Sequence, residues 1–437
     1  MRMTRHQRSS ATTVSHADFL TKTFLALGNA APDPSDLYFG FQLRLSGPPP
    51  TLDVLRTHVG DRVEGLPALT HRLVSRGGRI RWERDPDFDI AHHVRSFPNT
   101  GVEASPAQAV LGSSPDETRP LWGLWLQTDG SEDWALCYLA HHAVQDATAM
   151  LHTLTSLFGD SGCELTRPTR QPPSPSEPRR SLLTLLPDVL DTYLPTSRPS
   201  PPPLPAAAQQ ERVLGHHAVE LNLLREVARA SGASINQVHL AALAAAWRNW
   251  RHGEGGAPSP WRPGRGPHAL IPIDTRLPQD RERENGLGNS LGLMRVPLPC
   301  ALPSSSQRLE ATMASSSRHR VTRHRRALRT LTQNTPEWVA KWAMQRITDP
   351  RKSALTASNF RVRDSLSAFG MPIRDIVAIP WLPPGHTCFT FLVSYRDTAR
   401  LSVLTPAGGP DPQRLASLWG EAVNEGLLVR ASPETAG

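Results

Sequence analysis

Cysteine is scarce. The 437 residues hold four, Cys137, Cys163, Cys300 and Cys388, and none sits in a C-x-x-C or another metal-ligand spacing. That usage excludes a zinc ribbon and a disulfide framework, and it fits a reducing cytoplasmic compartment. Long apolar runs are also missing. No stretch approaches the roughly 20 residues needed to span a bilayer, and no signal-peptide core follows the basic, hydroxyl-rich start MRMTRHQRSSATTVSH. Residues 1–16 therefore read as a disordered basic tail. Contact with a membrane surface from outside stays open.

Proline, by contrast, is plentiful, with 42 residues. It concentrates between Arg167 and Pro205, in RPTRQPPSPSEPRR and SRPSPPPLP, with a short helix expected over Leu182–Leu194. Proline at this density makes a semi-rigid connector rather than a core element. The chain divides accordingly into an N-terminal lobe over 17–165, a linker over 166–209 and a C-terminal lobe over 210–434.

Both lobes mix strands and helices. In the first, Leu52–Val63 has helical spacing, Trp134–Ala140 is an apolar run of strand length, and Asp146–Phe158 reads as an amphipathic helix. In the second, Ser234–Trp250 is an alanine-rich helix, and His268–Ile273, Ser290–Leu298 and Thr387–Ser394 read as strands. A closing helix opens on Asp411 as N-cap, with Pro412 at the first helical position.

The net charge of +8 favours anionic partners. Much of the excess lies in SSSRHRVTRHRRALRTLTQ, which presents Arg318, Arg320, Arg323, Arg325 and Arg326 on a helix. No aromatic residue interleaves them, so a nucleic-acid groove is not expected. Two readings remain, a solvated helix face or a site for phosphate or a carrier protein.

The chemistry concentrates in His141-His142-Ala143-Val144-Gln145-Asp146-Ala147, at a strand-to-helix junction. A histidine on such a loop can present a neutral imidazole to a cleft, and an aspartate at the helix start can hold the loop by capping or by pairing with an arginine. Spacing alone is weak support, because the chain has seventeen histidines. His216-His217 is a near-match followed by Glu220 out of register, and His92-His93 has no acid. On spacing alone, a packed loop histidine competes with a catalytic one.

Motif order adds what spacing lacks. Arg119-Pro120-Leu121-Trp122 precedes the strand and HHAVQDA, and Phe88-Asp89 with His92-His93-Val94-Arg95 lies upstream. Downstream come Gly232-Ala233-Ser234-Ile235-Asn236-Gln237, Gly288-Asn289-Ser290, Val296-Pro297-Leu298-Pro299, Ser358-Asn359 and Ser394-Tyr395. In that order they resemble the wax ester synthase/diacylglycerol acyltransferase family, with its PLW, HHxxxDG, GN…VPLP, SN and SY segments. The resemblance covers nearly the whole chain.

It implies a mixed α/β (α+β) fold of two chloramphenicol-acetyltransferase-like lobes, mixed sheets with flanking helices, joined by the proline-rich linker around a central cleft. By the same likeness His142 is the general base, with His141 and Asp146 supporting it, the latter through an arginine not identifiable from sequence. Asn289 and Gln145 are candidates for the oxyanion site or the cleft wall, Asn289 with the alternative of a strand-end residue satisfying backbone groups. No metal or cofactor is implied.

Departures from the pattern stand at Ala147 (for glycine), Gln145, Gln237, Phe360-Arg361 and Arg396 (for glycine). They bear on the substrate more than on the catalytic step. The first expectation is an O-acyltransferase using acyl-CoA and an alcohol or diacylglycerol, cytoplasmic or peripheral to a membrane. A condensation-like enzyme of a specialised pathway, using an acyl carrier protein, is the second, and a non-catalytic acyl- or carrier-binding relative the third. A lipid enzyme predicts a long apolar tunnel and a lobe face that favours membranes, a carrier-dependent one predicts the Arg318–Arg329 helix at the donor entrance, and a binding protein predicts a buried or blocked His142.

Overall fold

The computed structural model describes residues 15–29, 31, 33–77, 79–97, 105–128, 132–159, 211–252, 266–281, 286–334, 349, 355–383 and 385–431. The linker over 166–209 and the expected helix within it lie outside these, as do residues 1–14. Ser15 and His16, assigned above to the tail, instead pair antiparallel with Trp82 and Arg81.

Two mixed sheets organise the chain, as the resemblance implies. The first has the order Asp375–Ile379, Tyr38–Ser46, Asp133–His141, Trp122–Thr128, Val94–Ser96. Its central strand Asp133–His141 is buried along nearly its whole length. A strand covered on both faces reads as a continuous apolar run, which is why WALCYLA shows no alternation. Sheet membership departs from chain order here, since Asp375–Ile379 comes from the C-terminal half and pairs with Tyr38–Ser46 in register Ile379↔Gly40. The two halves thus share a sheet.

The second sheet has the order Leu291–Pro297, His268–Asp274, Leu355–Val362, Cys388–Tyr395, Thr398–Pro406, Arg212–Glu220. Helices Leu221–Ser231, Ile235–His252, Ser305–Ser315 and Pro412–Ala431 pack into one core with it. Ala241, Ala242, Ala244, Ala245 and Ala246 are buried on the helix expected over Ser234–Trp250. Their small side chains let neighbouring helices approach closely, and burying the helix offsets its short apolar reach.

The helix start at Ser234 explains one family segment. Gln237 N–H donates to Ser234 Oγ at 3.3 Å, and Ser234 N–H donates back to Gln237 Oε1 at 2.8 Å. This is a reciprocal capping box, which an amide serves as well as an acid. Gly232, just before, ends the preceding helix at φ +65°, a left-handed conformation that suits glycine. Gln237 is therefore a capping residue. Arg396 also lies away from the cleft, exposed in the turn between Cys388–Tyr395 and Thr398–Pro406 at φ +51°. That dihedral accounts for a glycine preference at this position.

Candidate active site

Three backbone constraints place His142. Its strand ends in register His141↔Tyr38, its own N–H donates to the Leu37 carbonyl at 2.9 Å, and Val144 N–H turns back to the His141 carbonyl at 2.8 Å. The loop then enters helix Ala147–Phe158, whose N-cap is Asp146, with Oδ1 accepting from Ala149 N–H at 3.0 Å. The ring of His142 stacks on Phe24 (3.9 Å between centroids, 11°) and on Phe39 (4.5 Å, 28°), with the Trp381 edge at 5.2 Å. Phe24 arrives on helix Phe19–Asn29, capped by Asp18, which accepts from Thr21 N–H at 2.7 Å. The Asp18 carboxylate also takes a hydrogen bond from the Asn289 backbone.

The C-terminal half reaches across at Gly286–Ser290. Gly288 N–H donates to the Val144 carbonyl at 2.6 Å, and Gln145 and Gly288 form a parallel bridge. Gly286 and Gly288 have φ of +75° and +95°, so only glycine threads this path without strain. Asn289 then meets His142 twice. Its Nδ2 donates to the His142 carbonyl at 2.7 Å, which turns Oδ1 toward the ring, 3.2 Å from Nδ1. An acceptor at that distance requires the proton on Nδ1. Nε2 is thereby left unprotonated in a ring that lines the cleft. Burial pushes His142 down to about 4, against Asp146 and Asn289, which pull it up. The imidazole is neutral at neutral pH.

The supporting residues are equally defined. His141 Nδ1 accepts the Ala143 N–H at 3.0 Å, a bond that needs a neutral ring, and burial followed by the nearby His142 holds it down at about 3. Asp146 Oδ2 accepts from Arg276 Nη1 at 2.7 Å and from Ser290 N–H at 2.8 Å. Arg276 is the arginine that the sequence left unassigned. Both partners are buried, so this charge pair, with its extra hydrogen bonds, ties the two halves at the loop that follows His142.

Two expectations change. Gln145 does not face the cleft. It is fully buried, accepts from Tyr138 Oη at 2.6 Å, and donates to Thr153 Oγ1 at 2.7 Å and to the Gly286 carbonyl. Its polar amide is needed to satisfy that crossing loop, not to meet substrate. Asn289 does not line the cleft either, and its amide is spent on His142, which makes it a positioning residue rather than an oxyanion donor. Ala147 begins the helix without a positive φ, so the missing glycine imposes no strain there.

The cleft between the two sheets is open to solvent and offers about 130 Å³ to water-sized groups. Phe24, Leu27, Leu270, Leu291, Phe360 and Phe389 give it apolar walls, and Arg276, Asp274 and Ser358 stand among the polar groups. Of the late departures, Phe360 lines it, stacked on Phe41 at 6.2 Å. Asn359 also lines it and donates to Asn236 at 3.3 Å, joining two of the family segments. None of Arg318, Arg320, Arg323, Arg325 and Arg326 lines it; all five are exposed on helix Arg318–Asn334. Among the described residues, no group of three His, Cys, Asp or Glu could hold a metal ion, and no helix is long and apolar enough to cross a membrane.

Arg276, Phe24 and Asp18 escaped sequence reasoning. Arg276 follows a strand end with no marker, and Phe24 is one apolar residue among many in its helix. Their roles depend on contacts across more than a hundred residues of chain.

Comparison with known proteins places this geometry. A protein of Mycobacterium tuberculosis (strain CDC 1551 / Oshkosh), bearing the provisional name diacylglycerol O-acyltransferase, is 28% identical over 234 residues, 45% of this chain and 49% of its own. The chain thus matches about half the length of that relative. A second, the Mycobacterium tuberculosis (strain ATCC 25618 / H37Rv) protein named tgs1, is 29% identical over 127 residues, 27% of each chain.

Two solved structures share the fold over nearly all of both chains. The wax ester synthase/diacylglycerol acyltransferase of Marinobacter aquaeolei VT8 has a TM-score of 0.64 at 17% identity, covering 96% of this chain and 100% of its own. The first condensation domain of the calcium-dependent antibiotic synthetase, solved with a substrate analogue, has 0.64 at 16% identity, covering 97% and 98%. The family models for the wax ester synthase/diacylglycerol acyltransferase catalytic domain and the WS/DGAT C-terminal domain match residues 40–192 and 287–425. Together these models span more than half of the sequence, and the chain belongs to the wax ester synthase/diacylglycerol acyltransferase family.

Proposed function

We propose that the protein transfers an acyl group from a coenzyme A thioester to the hydroxyl of a long-chain alcohol or a diacylglycerol. The observation that carries this is the Asn289–His142 pair, which holds the proton on Nδ1 and leaves Nε2 unprotonated in a ring that lines a largely apolar cleft. His142 is buried, which a binding relative would share; what favours catalysis is that its ring lines the cleft with the proton held on Nδ1. The apolar walls suit an acyl chain and a lipid acceptor better than a peptide. Relatives named as diacylglycerol O-acyltransferases support the acceptor class.

The chemistry balances without a metal or a redox group. His142 Nε2 takes the hydroxyl proton as the acceptor oxygen attacks the thioester carbonyl, forming a tetrahedral oxyanion and an imidazolium. The Nδ1–H bond to Asn289 and the Asp146 carboxylate nearby favour that transient cation. Ala147 and Thr148, at the start of a helix and on the cleft wall, offer first-turn N–H groups to the oxyanion. Collapse breaks the C–S bond, the thiolate leaves, and the imidazolium returns the proton to it. The ester and free coenzyme A are the products.

Thiol release from a panel of acyl-CoAs tests the reading, with and without long-chain alcohols and diacylglycerol. Acceptor-dependent release that is lost in His142→Ala is expected. No release from any CoA donor overturns it and moves the search to carrier-bound acyl groups.

A further inference from the structure

We propose that Phe24 and Phe39 are positioning residues whose ring faces hold the cationic form of His142 during acyl transfer; this rests on His142 being the base in the reading above. The two phenyl rings lie nearly parallel to the imidazole, at 11° and 28°, with centroids at 3.9 and 4.5 Å. Two rings so close and so flat cannot share one face without overlapping, so they cover opposite faces. Trp381 stands almost perpendicular to the same ring at 5.2 Å. All three side chains line the cleft together with His142. Each phenyl ring arrives on its own element. Phe39 lies on Tyr38–Ser46, beside Tyr38, whose register partner is His141. Phe24 lies on helix Phe19–Asn29, and the Asp18 carboxylate that caps this helix also accepts the Asn289 backbone N–H. The helix that carries one face of the sandwich and the residue that fixes the tautomer are thus tied to one carboxylate.

The arrangement answers a physical need. Once Nε2 has taken a proton, the ring carries a full charge in a buried place, and desolvation opposes that charge. The carboxylate that acts on the ring, Asp146, is already bonded to Arg276 Nη1 and to the N–H groups of Ser290 and Ala149. Its charge is therefore largely spent on holding the loop. What covers the two faces of the imidazole is π density, and an aromatic face attracts a cation most strongly where water is absent. Aliphatic side chains of the same bulk would exclude water equally and offer no such attraction. The sandwich thus favours the imidazolium over the neutral ring, while keeping the ring plane fixed.

The experiment replaces Phe24 and Phe39 in the full chain, singly and together, with mono-, di- and trifluorinated phenylalanine. Fluorine drains the ring face of negative charge while nearly preserving its shape, so a purely structural role predicts no trend. With acyl-CoA and acceptor, kcat should fall stepwise with fluorine count, by roughly tenfold for the doubly trifluorinated protein, with KM unchanged. The same series at Phe158, which stacks on His58 at 5.7 Å and does not line the cleft, should leave kcat unchanged. A second readout uses no acyl donor. Methylation of His142 Nε2 by methyl nitrobenzenesulfonate forms an N–C bond, breaks the C–O bond and releases the sulfonate, leaving a ring cation. Its rate at neutral pH, followed by peptide mass spectrometry, should decline across the series in parallel with kcat. Methylation that slows with fluorination while no acyl-CoA is turned over sinks the proposed function and upholds the sandwich. Rates indifferent to fluorination in both assays overturn the sandwich. So does a fall in kcat with unchanged methylation, or a rise in KM at constant kcat, since either sets the rings against substrate rather than the imidazole.

Discussion

The chain carries two histidine pairs with an acid close behind, and the fold treats them in opposite ways. His141-His142 ends a central strand, turns through a loop crossed by the other half of the chain, and is followed by Asp146 as a helix cap. His216-His217 lies inside Arg212–Glu220, an edge strand, with the register running unbroken through both residues. There the edge is covered by helix Pro412–Ala431. Gln413 closes a two-bond clasp on the His216 backbone, its Oε1 accepting from N–H and its Nε2 donating to C=O, both at 3.2 Å. The His217 ring packs where Gly420 leaves room. The dipeptide is the same. What differs is that one strand stops at a cleft and the other continues along a covered edge, so His142 lines the cleft and neither His216 nor His217 does.

Several experiments would break or sharpen that contrast. His142→Ala should reduce acceptor-dependent thiol release by roughly three orders of magnitude, while His217→Ala leaves the rate within a factor of two; equal losses would end the distinction. Arg276→Met leaves Asp146 buried without its partner, a change that typically costs about 3–5 kcal/mol. Denaturant midpoints should show it, and no comparable loss is expected from removing the exposed Glu220. Asn289→Ala should lower kcat by roughly 10- to 100-fold with little change in KM, as the imidazole loses its fixed tautomer. Kinetics with folding checked by circular dichroism would decide. Gly420→Ala, at the second pair, should cost about 1–3 kcal/mol by overpacking the His217 ring and leave the turnover of the folded protein unchanged.

Acid pH gives the most distributed effect. Burial lowers His93 and His142 to about 4 and His141 and His239 to about 3, from an ordinary 6.5. Below 6.5 the unfolded chain binds protons that the folded chain refuses. Stability is therefore full above that value and falls as pH drops, by up to about 1.4 kcal/mol per pH unit for each such histidine. The loss levels off once the folded-state values near 4 and 3 are passed. Thermal midpoints between pH 7 and 4 would record it. The acid limb of kcat/KM should lie near pH 4, because His142 must be neutral to act. A limb near 6.5 would mean that the ring is better solvated than its packing against Phe24 and Phe39 implies.

Much of this was legible in the order of residues. Asp146 and Asp411 each announced a helix start, and both are caps, Asp411 accepting from Gln413 N–H at 2.9 Å. The strand Asp133–His141 showed itself as an apolar run, and the basic helix as a periodic one. The motif series pointed to His142 where spacing alone did not. Gln145 misled because a polar residue next to a catalytic loop looks like a substrate contact. Its actual partners, Tyr138, Thr153 and the Gly286 carbonyl, include one 141 residues away.

Caps and strand periods are local or near-local properties, governed by dihedral preference, side-chain reach and hydrophobic pattern within a few residues, and the chain spells them out directly. The partner of Asp146, the tautomer of His142 and the sharing of Asp375–Ile379 with the first sheet are of another kind. Each joins groups more than a hundred residues apart, and each depends on burial that exists only after both halves have packed. A buried carboxylate needs its guanidinium and a buried imidazole needs its acceptor, but many arginines and asparagines could answer either need. Folding selects Arg276 and Asn289 by bringing them within hydrogen-bond reach.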